Sequence, residues 1–115
     1  MDPHERLQAW QVAHQLALEV YGATDRWPRT ERYELTAQVR RAALSVPANI
    51  AEGVARYGPR EMRRFLTVAR ASLVELSYLL RFARDRGVLD EVEWAKLDEL
   101  KKQVGRLTWG LVRKA

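Results

Sequence analysis

The chain has 115 residues, 47% of them apolar and 30% charged, with a formal net charge of +5 and no cysteine. That length builds one hydrophobic core and not two, and the composition is that of a folded globular protein rather than a disordered one. Disulfide frameworks, thiolate metal sites and cysteine nucleophiles are excluded, and no apolar run approaches the roughly 18 residues that would cross a membrane.

The opening Met1-Asp2-Pro3-His4-Glu5-Arg6 lacks the apolar core of a signal peptide, so cytoplasmic residence is expected. A first helix is predicted over about 5–25. Gln8, Gln11, Gln15 and Glu19 form a narrow polar face, with Trp10, Ala13, Ala17 and Tyr21 on one side and Ala9, Val12, Leu16 and Val20 on the other. An apolar surface wider than the usual ~100° stripe implies two packing partners. Arg26-Trp27-Pro28-Arg29 interrupts the pattern, because the residue before a proline is pushed to extended backbone. Thr30 is the expected N-cap of helix 2, with Glu31 in its first turn.

Helix 2 is predicted over about 30–57. Leu35, Val39, Ala42 and Val46, then Ile50 and Val54, recur at helical spacing on either side of Pro47. Proline has no amide hydrogen and clashes with the carbonyl four residues back, that of Ala43, so the helix should bend near Val46. Carbonyls around Leu44 to Val46 then need other partners, and Asn49 with Glu52 beside Gly53 suits a polar network there. Asn49, Glu52 and Glu75 are the candidates for a buried polar group, with Arg41 as the balancing cation. Gly58-Pro59 should end the helix.

Helix 3, about 60–86, carries the core stripe Met62, Phe65, Leu66, Ala69, Leu73, Leu76, Leu80 and Ala83 and a second apolar strip of Val68, Ala71, Tyr78 and Phe82. Gly87 closes it. Asp90-Glu91-Val92-Glu93 has the spacing of a capping box and opens helix 4, about 90–113, with Leu97, Leu100, Val104, Leu107 and Leu111 on its seam and Trp109 pointing away. Short connections make neighbouring helices antiparallel, so the expected fold is all-α: a single-domain up-down-up-down four-helix bundle with a proline-kinked second helix. The surplus apolar surface of helices 1 and 3 argues for self-association.

Trp27-Pro28, Glu31, Tyr33, Leu35, Gln38 and Arg41-Ala42 precede Ser45-Val46-Pro47-Ala48-Asn49-Ile50-Ala51-Glu52-Gly53. Phe65-Leu66, Ala69 and Ser72-Leu73-Val74-Glu75-Leu76 follow. This pattern, from about Trp10 to Leu80, resembles the small four-helix-bundle family named after proteins encoded in intervening sequences of bacterial 23S rRNA genes. Pro47, Asn49, Glu52 and Gly53 carry its signature. Ala71 departs from it, since family members usually have glycine there. The resemblance implies a bacterial protein assembled as a homopentamer. A related branch serves as accessory subunits of reverse transcriptases in diversity-generating retroelements, which makes such an enzyme a further candidate partner.

Nothing in the chain points to catalysis. His4 and His14 are isolated, Ser45 and Ser72 lack the context of a nucleophile elbow, and there is neither a phosphate loop nor a dinucleotide fingerprint. No catalytic residue, metal site or cofactor is therefore expected. Arginine supplies 16 of the 20 cationic side chains, and its planar fork grips phosphate or carboxylate in two places. GC-rich codon usage would supply arginine equally well. Arg60, Arg63, Arg64, Arg70, Arg81 and Arg84 share one face of helix 3, Arg56 continues it, and Asp85 is the face's only acid by helical spacing. The expected function is non-catalytic binding of structured RNA or other nucleic acid by backbone shape and charge. The alternative is a protein-interaction scaffold whose arginines meet acidic partners.

Overall fold

The computed structural model describes residues 1–115. Four helices account for most of the chain: α1 Gln8–Thr24, α2 Ala37–Ala55, α3 Pro59–Asp85 and α4 Glu91–Lys114. No strand is present. The N-terminus does not extend α1 directly. Pro3–Arg6 forms a short 3₁₀ turn, Leu7 is extended, and only then does α1 begin.

The entry to α2 differs from the sequence expectation. A 3₁₀ turn at Arg29–Glu31 is followed by a π-helical turn at Arg32–Thr36 and then by α2. Thr30 does not cap a helix. It lies inside the 3₁₀ turn that Pro28 opens, where the Glu31 amide donates to the Pro28 carbonyl at 3.0 Å. At the far end α2 stops at Ala55, because Arg56 is extended. Gly58, at φ +86°, precedes Pro59 in the first position of α3. That proline opens a helix, where its missing amide costs nothing.

The other end of α3 closes as expected. Gly87 adopts φ +80°, its amide donates to Arg84 O and the Val88 amide to Ala83 O, the paired bonds of a glycine-closed helix end. Asp90 caps α4, its carboxylate accepting from the Glu93 amide at 2.7 Å. Glu93 itself turns outward and forms an ion pair with Arg26 beyond the end of α1.

A cluster of 23 buried apolar residues forms the core. Leu16, Ile50, Leu66, Leu76, Leu97 and Val104, drawn from all four helices, are almost wholly withdrawn from solvent. α1 packs against both α2 and α4, and α3 likewise packs against α2 and α4. The wide apolar circumference of α1 is thus largely used within the chain. On α3 the expected stripe is buried from Leu66 to Ala83, but Met62 and Phe65 are only half-buried. Leu79 joins the core beside Leu80, where the π-helical turn ahead of α2 brings Leu35 against the same hollow. The second strip of α3 stays exposed, with Val68 44%, Tyr78 66% and Phe82 40% accessible.

At Gly53 α2 and α3 approach each other closely. A β-carbon there would stand 3.2 Å from Phe65 Cβ and 3.3 Å from the Met62 carbonyl oxygen. Ala71, by contrast, is exposed and meets no neighbour closely enough to be buried.

Asp98, half-buried on α4, accepts from Lys101 at 2.8 Å and lies 3.2 Å from Lys102. Burial alone would push its carboxyl up, but the hydrogen bonds and charges of Lys101 and Lys102 outweigh it and hold it below the usual carboxylate value. A carboxyl lowered in the folded state contributes stability that is complete above its unfolded pKa, near about 4, and lost as pH falls through the folded value. Asp98→Asn is therefore expected to lower stability at neutral pH and to flatten the acid limb of the stability curve. Denaturant unfolding of both proteins from pH 7 into the acid range checks it, and parallel curves would contradict it.

Candidate nucleic-acid interface

The polar group at the signature segment is smaller than expected and differently composed. Asn49 donates from Nδ2 to the Ser45 carbonyl at 2.8 Å and to Ser45 Oγ at 3.0 Å. Ser45 Oγ in turn lies 2.7 Å from Ser72 Oγ on α3. Asn49, Ser45 and Ser72 tie α2 to α3 beside Pro47, which is itself buried. Glu52 and Glu75 take no part, because both are exposed. Glu52 pairs with Arg56 one turn on, at 3.2 Å, and not with Arg41. His4 and His14 flank Trp10, each with its ring centroid 4.9 Å away. Asp2, His4 and Glu5 each bring one potential ligand atom within 4.8 Å of the others on this terminal turn.

The arginine face of α3 splits into engaged and unengaged members. Arg64 pairs with Glu61 at 3.4 Å and lies over the Phe65 ring, which Arg56 also covers. Arg81 reaches Asp85 at 3.7 Å. Arg84 lies 4.1 Å from the centre of the Trp94 ring and within ion-pair distance of Asp85 and Glu91. Asp85 is therefore not the only acid on this face. Glu61 reaches in from its edge, Glu52 from α2 and Glu91 from α4. Helical spacing within α3 could not register the last two, since they depend on how α2 and α4 dock.

Arg70 and Arg63 turn toward α4. Arg70 donates to the Gly105 carbonyl at 2.8 Å and to Thr108 Oγ1 at 3.1 Å, and it lies 5.2 Å from the centre of the Trp109 ring. Arg63 donates to the carbonyl oxygen of Ala115. Arg60 makes no ion pair. A hollow of about 570 Å³ lies between Arg60, Arg63, Arg64 and Thr67, with Glu61 as its one acid.

Sequence reasoning missed a basic surface on α4. Lys102, Arg106 and Trp109 lie four and three residues apart, so one face of α4 presents all three. Together with Arg70 and Gly105 they line a shallow hollow of about 480 Å³ that contains no carboxylate. Trp109 is 49% exposed there and Arg106 makes no ion pair, while Lys102 lies 3.2 Å from Asp98 one turn back. An exposed indole ringed by cations has the chemistry of a base-stacking platform beside phosphate ligands. The spacing was visible in the sequence, but it reads equally well as a solvated helix face until Arg70 arrives from α3.

This fold and surface define a small all-helical, four-helix protein with an aromatic-bearing basic side. Residues 5–110 match the family of 23S rRNA-intervening sequence proteins, and the chain belongs to that family. Comparison with curated proteins finds no match. No helix is long and apolar enough to cross a membrane.

Proposed function

We propose that this chain is a non-catalytic, self-associating RNA-binding protein of the bacterial cytoplasm. The observation that carries the reading is the hollow around Trp109, where Arg70, Lys102 and Arg106 converge on an exposed indole and only Lys102 has a carboxylate, Asp98, beside it. About 10 Å further along α3, Arg63 and Arg60 extend the same positive surface. An RNA backbone crossing both would release condensed counterions, and an unpaired base would stack on the indole. Base identity would contribute little, because no groove-reading element accompanies these residues.

The bundle is arranged up-down-up-down. Supporting this, Arg86 near the end of α3 lies 3.8 Å from Glu31 ahead of α2, and Ser72 midway along α3 meets Ser45 midway along α2. Arg63 early in α3 meets Ala115 after α4. We place a bend of α2 at Pro47, supported by the amide that residue lacks and by the side-chain bond Asn49 makes to the Ser45 carbonyl. Self-association uses the exposed strip of α3, with Val74, Tyr78 and Phe82 at its centre, and the family resemblance suggests a ring of five.

A scaffold reading has one observation in its favour. Arg56, Arg64, Arg81 and Arg84 already face carboxylates within the chain, which suits a neutralised protein-contact surface more than a phosphate site. An accessory role beside a reverse transcriptase belongs to this reading.

Titration of the purified protein with structured RNA and duplex DNA across salt concentration tests the proposal. Binding that weakens steeply with salt is expected, by roughly 0.7 to 0.9 logarithmic units per tenfold salt for each phosphate neutralised. No binding at low salt would reject RNA and leave the scaffold. Light scattering on the same sample reads the assembly, expected as five chains of 13.3 kDa.

A further inference from the structure

The largest hollow of the molecule lies away from the α3–α4 side, at the corner where α1 ends and the π-helical turn leads into α2. Its volume is about 650 Å³, within the range of cavities that hold small organic ligands. Four arginines line it against a single carboxylate, Asp25. That carboxylate is already matched: Arg40 donates to Asp25 Oδ1 at 2.7 Å and to Thr24 Oγ1 at 2.8 Å, with its guanidinium 4.5 Å from the centre of the Tyr21 ring. Arg29, Arg32 and Arg41 therefore stand at the rim with no ion pair in the chain.

Two further features distinguish this hollow from an ordinary cationic surface. Trp27, Pro28 and Leu44 give it an apolar wall beside the guanidinium groups. Thr36, also on its lining, is 7% exposed, and its Oγ1 is buried without a hydrogen-bond partner. A helical threonine ordinarily donates to a carbonyl one turn back, and in the π-helical turn this one does not. Such turns inside helices often mark functional positions.

We propose that this cavity binds a mononucleotide-sized organic phosphate. Arg29, Arg32 and Arg41 hold the phosphate oxygens through charge-assisted hydrogen bonds. The flat apolar body lies against Trp27, Pro28 and Leu44. The same chemistry is offered by a free nucleotide and by the phosphorylated 5′ end of an RNA strand. The site is separate from the Trp109 surface and does not depend on it.

Calorimetric titration of the full chain with adenosine 5′-monophosphate tests the proposal, with adenosine as the phosphate-free control. Saturable binding of the monophosphate is expected, none of adenosine, and about tenfold or greater weakening in Arg32→Gln/Arg41→Gln. Lys102→Gln/Arg106→Gln, which alters only the α4 surface, should bind the monophosphate as the parent chain does. Arg29→Gln alone serves if the double variant melts early by circular dichroism. Short oligoribonucleotides with and without a 5′ phosphate separate the two sources. Tighter binding of the phosphorylated strand than of the monophosphate assigns the site to RNA ends, and equal or weaker binding assigns it to free nucleotides. Absence of heat with both the monophosphate and the phosphorylated strand at about 5 mM overturns the proposal. So does equal binding of adenosine, or loss of monophosphate binding in the Lys102/Arg106 variant alone.

Discussion

Lys102→Gln, Arg106→Gln and Trp109→Ala, combined in one chain, are expected to weaken RNA binding about 100-fold or more at low salt. The indole supplies about 1–3 kcal/mol for each base it stacks. Arg106 neutralises a phosphate while Lys102 already faces Asp98, so the slope of log K against log salt should fall by about 0.7 for a single strand. Folding should survive with a modest loss of stability, because Lys102, Arg106 and Trp109 are exposed, the seam of α4 faces the other way and Asp98 keeps its bond to Lys101. Fluorescence anisotropy with a labelled RNA at several salt concentrations gives both quantities. Arg81→Gln/Arg84→Gln provides the contrast: those side chains already face Asp85 and Glu91, and their loss should change affinity little. If the two variants bind alike, the α4 surface is not where RNA lies.

The second large effect concerns stability. Gly53→Leu is expected to destabilise the fold by about 3 kcal/mol, from overpacking where α2 and α3 touch. In a chain of this size that lowers the melting temperature by roughly 10 °C or more. The obstacle is partly backbone, the Met62 carbonyl 3.3 Å from a new β-carbon, so a rotamer change cannot remove it. Gly53→Ala is a gentler case, in which about 1 kcal/mol of improved helix propensity offsets a shift of a few tenths of an ångström. Thermal unfolding followed at 222 nm separates the two variants. A leucine variant that melts with the parent chain would mean the helices part there without cost.

The helical framework was legible because its determinants are local. Gly87 and Asp90 act within a few residues of where they stand, and the spacing from Leu66 to Ala83 marks the buried side of one cylinder. Helix ends were less legible where two signals compete. Thr30 has the chemistry of a cap, yet Pro28 opens a 3₁₀ turn two residues earlier and the threonine falls inside it. Gly58-Pro59 reads as a stop, but the proline belongs to the following helix.

The candidate interface was legible only in part, because an arginine's role is set by what meets it from other helices. Arg70 and Arg84 resemble Arg60 on a helical wheel. They differ because Thr108, Trp109 and Trp94 come in from α4. The cavity beside the π-helical turn could not be read at all. Its arginines are spread over three segments, and a change of helix type within five residues leaves no periodic trace.

The connection between α2 and α3 is only Arg56 to Gly58, and these two helices share the most extensive interface in the molecule. Closing so short a loop costs little chain entropy. The pair can gather much of its core before distant parts of the chain are involved, and a topology dominated by such near-neighbour contacts belongs to the fast-folding end of small proteins.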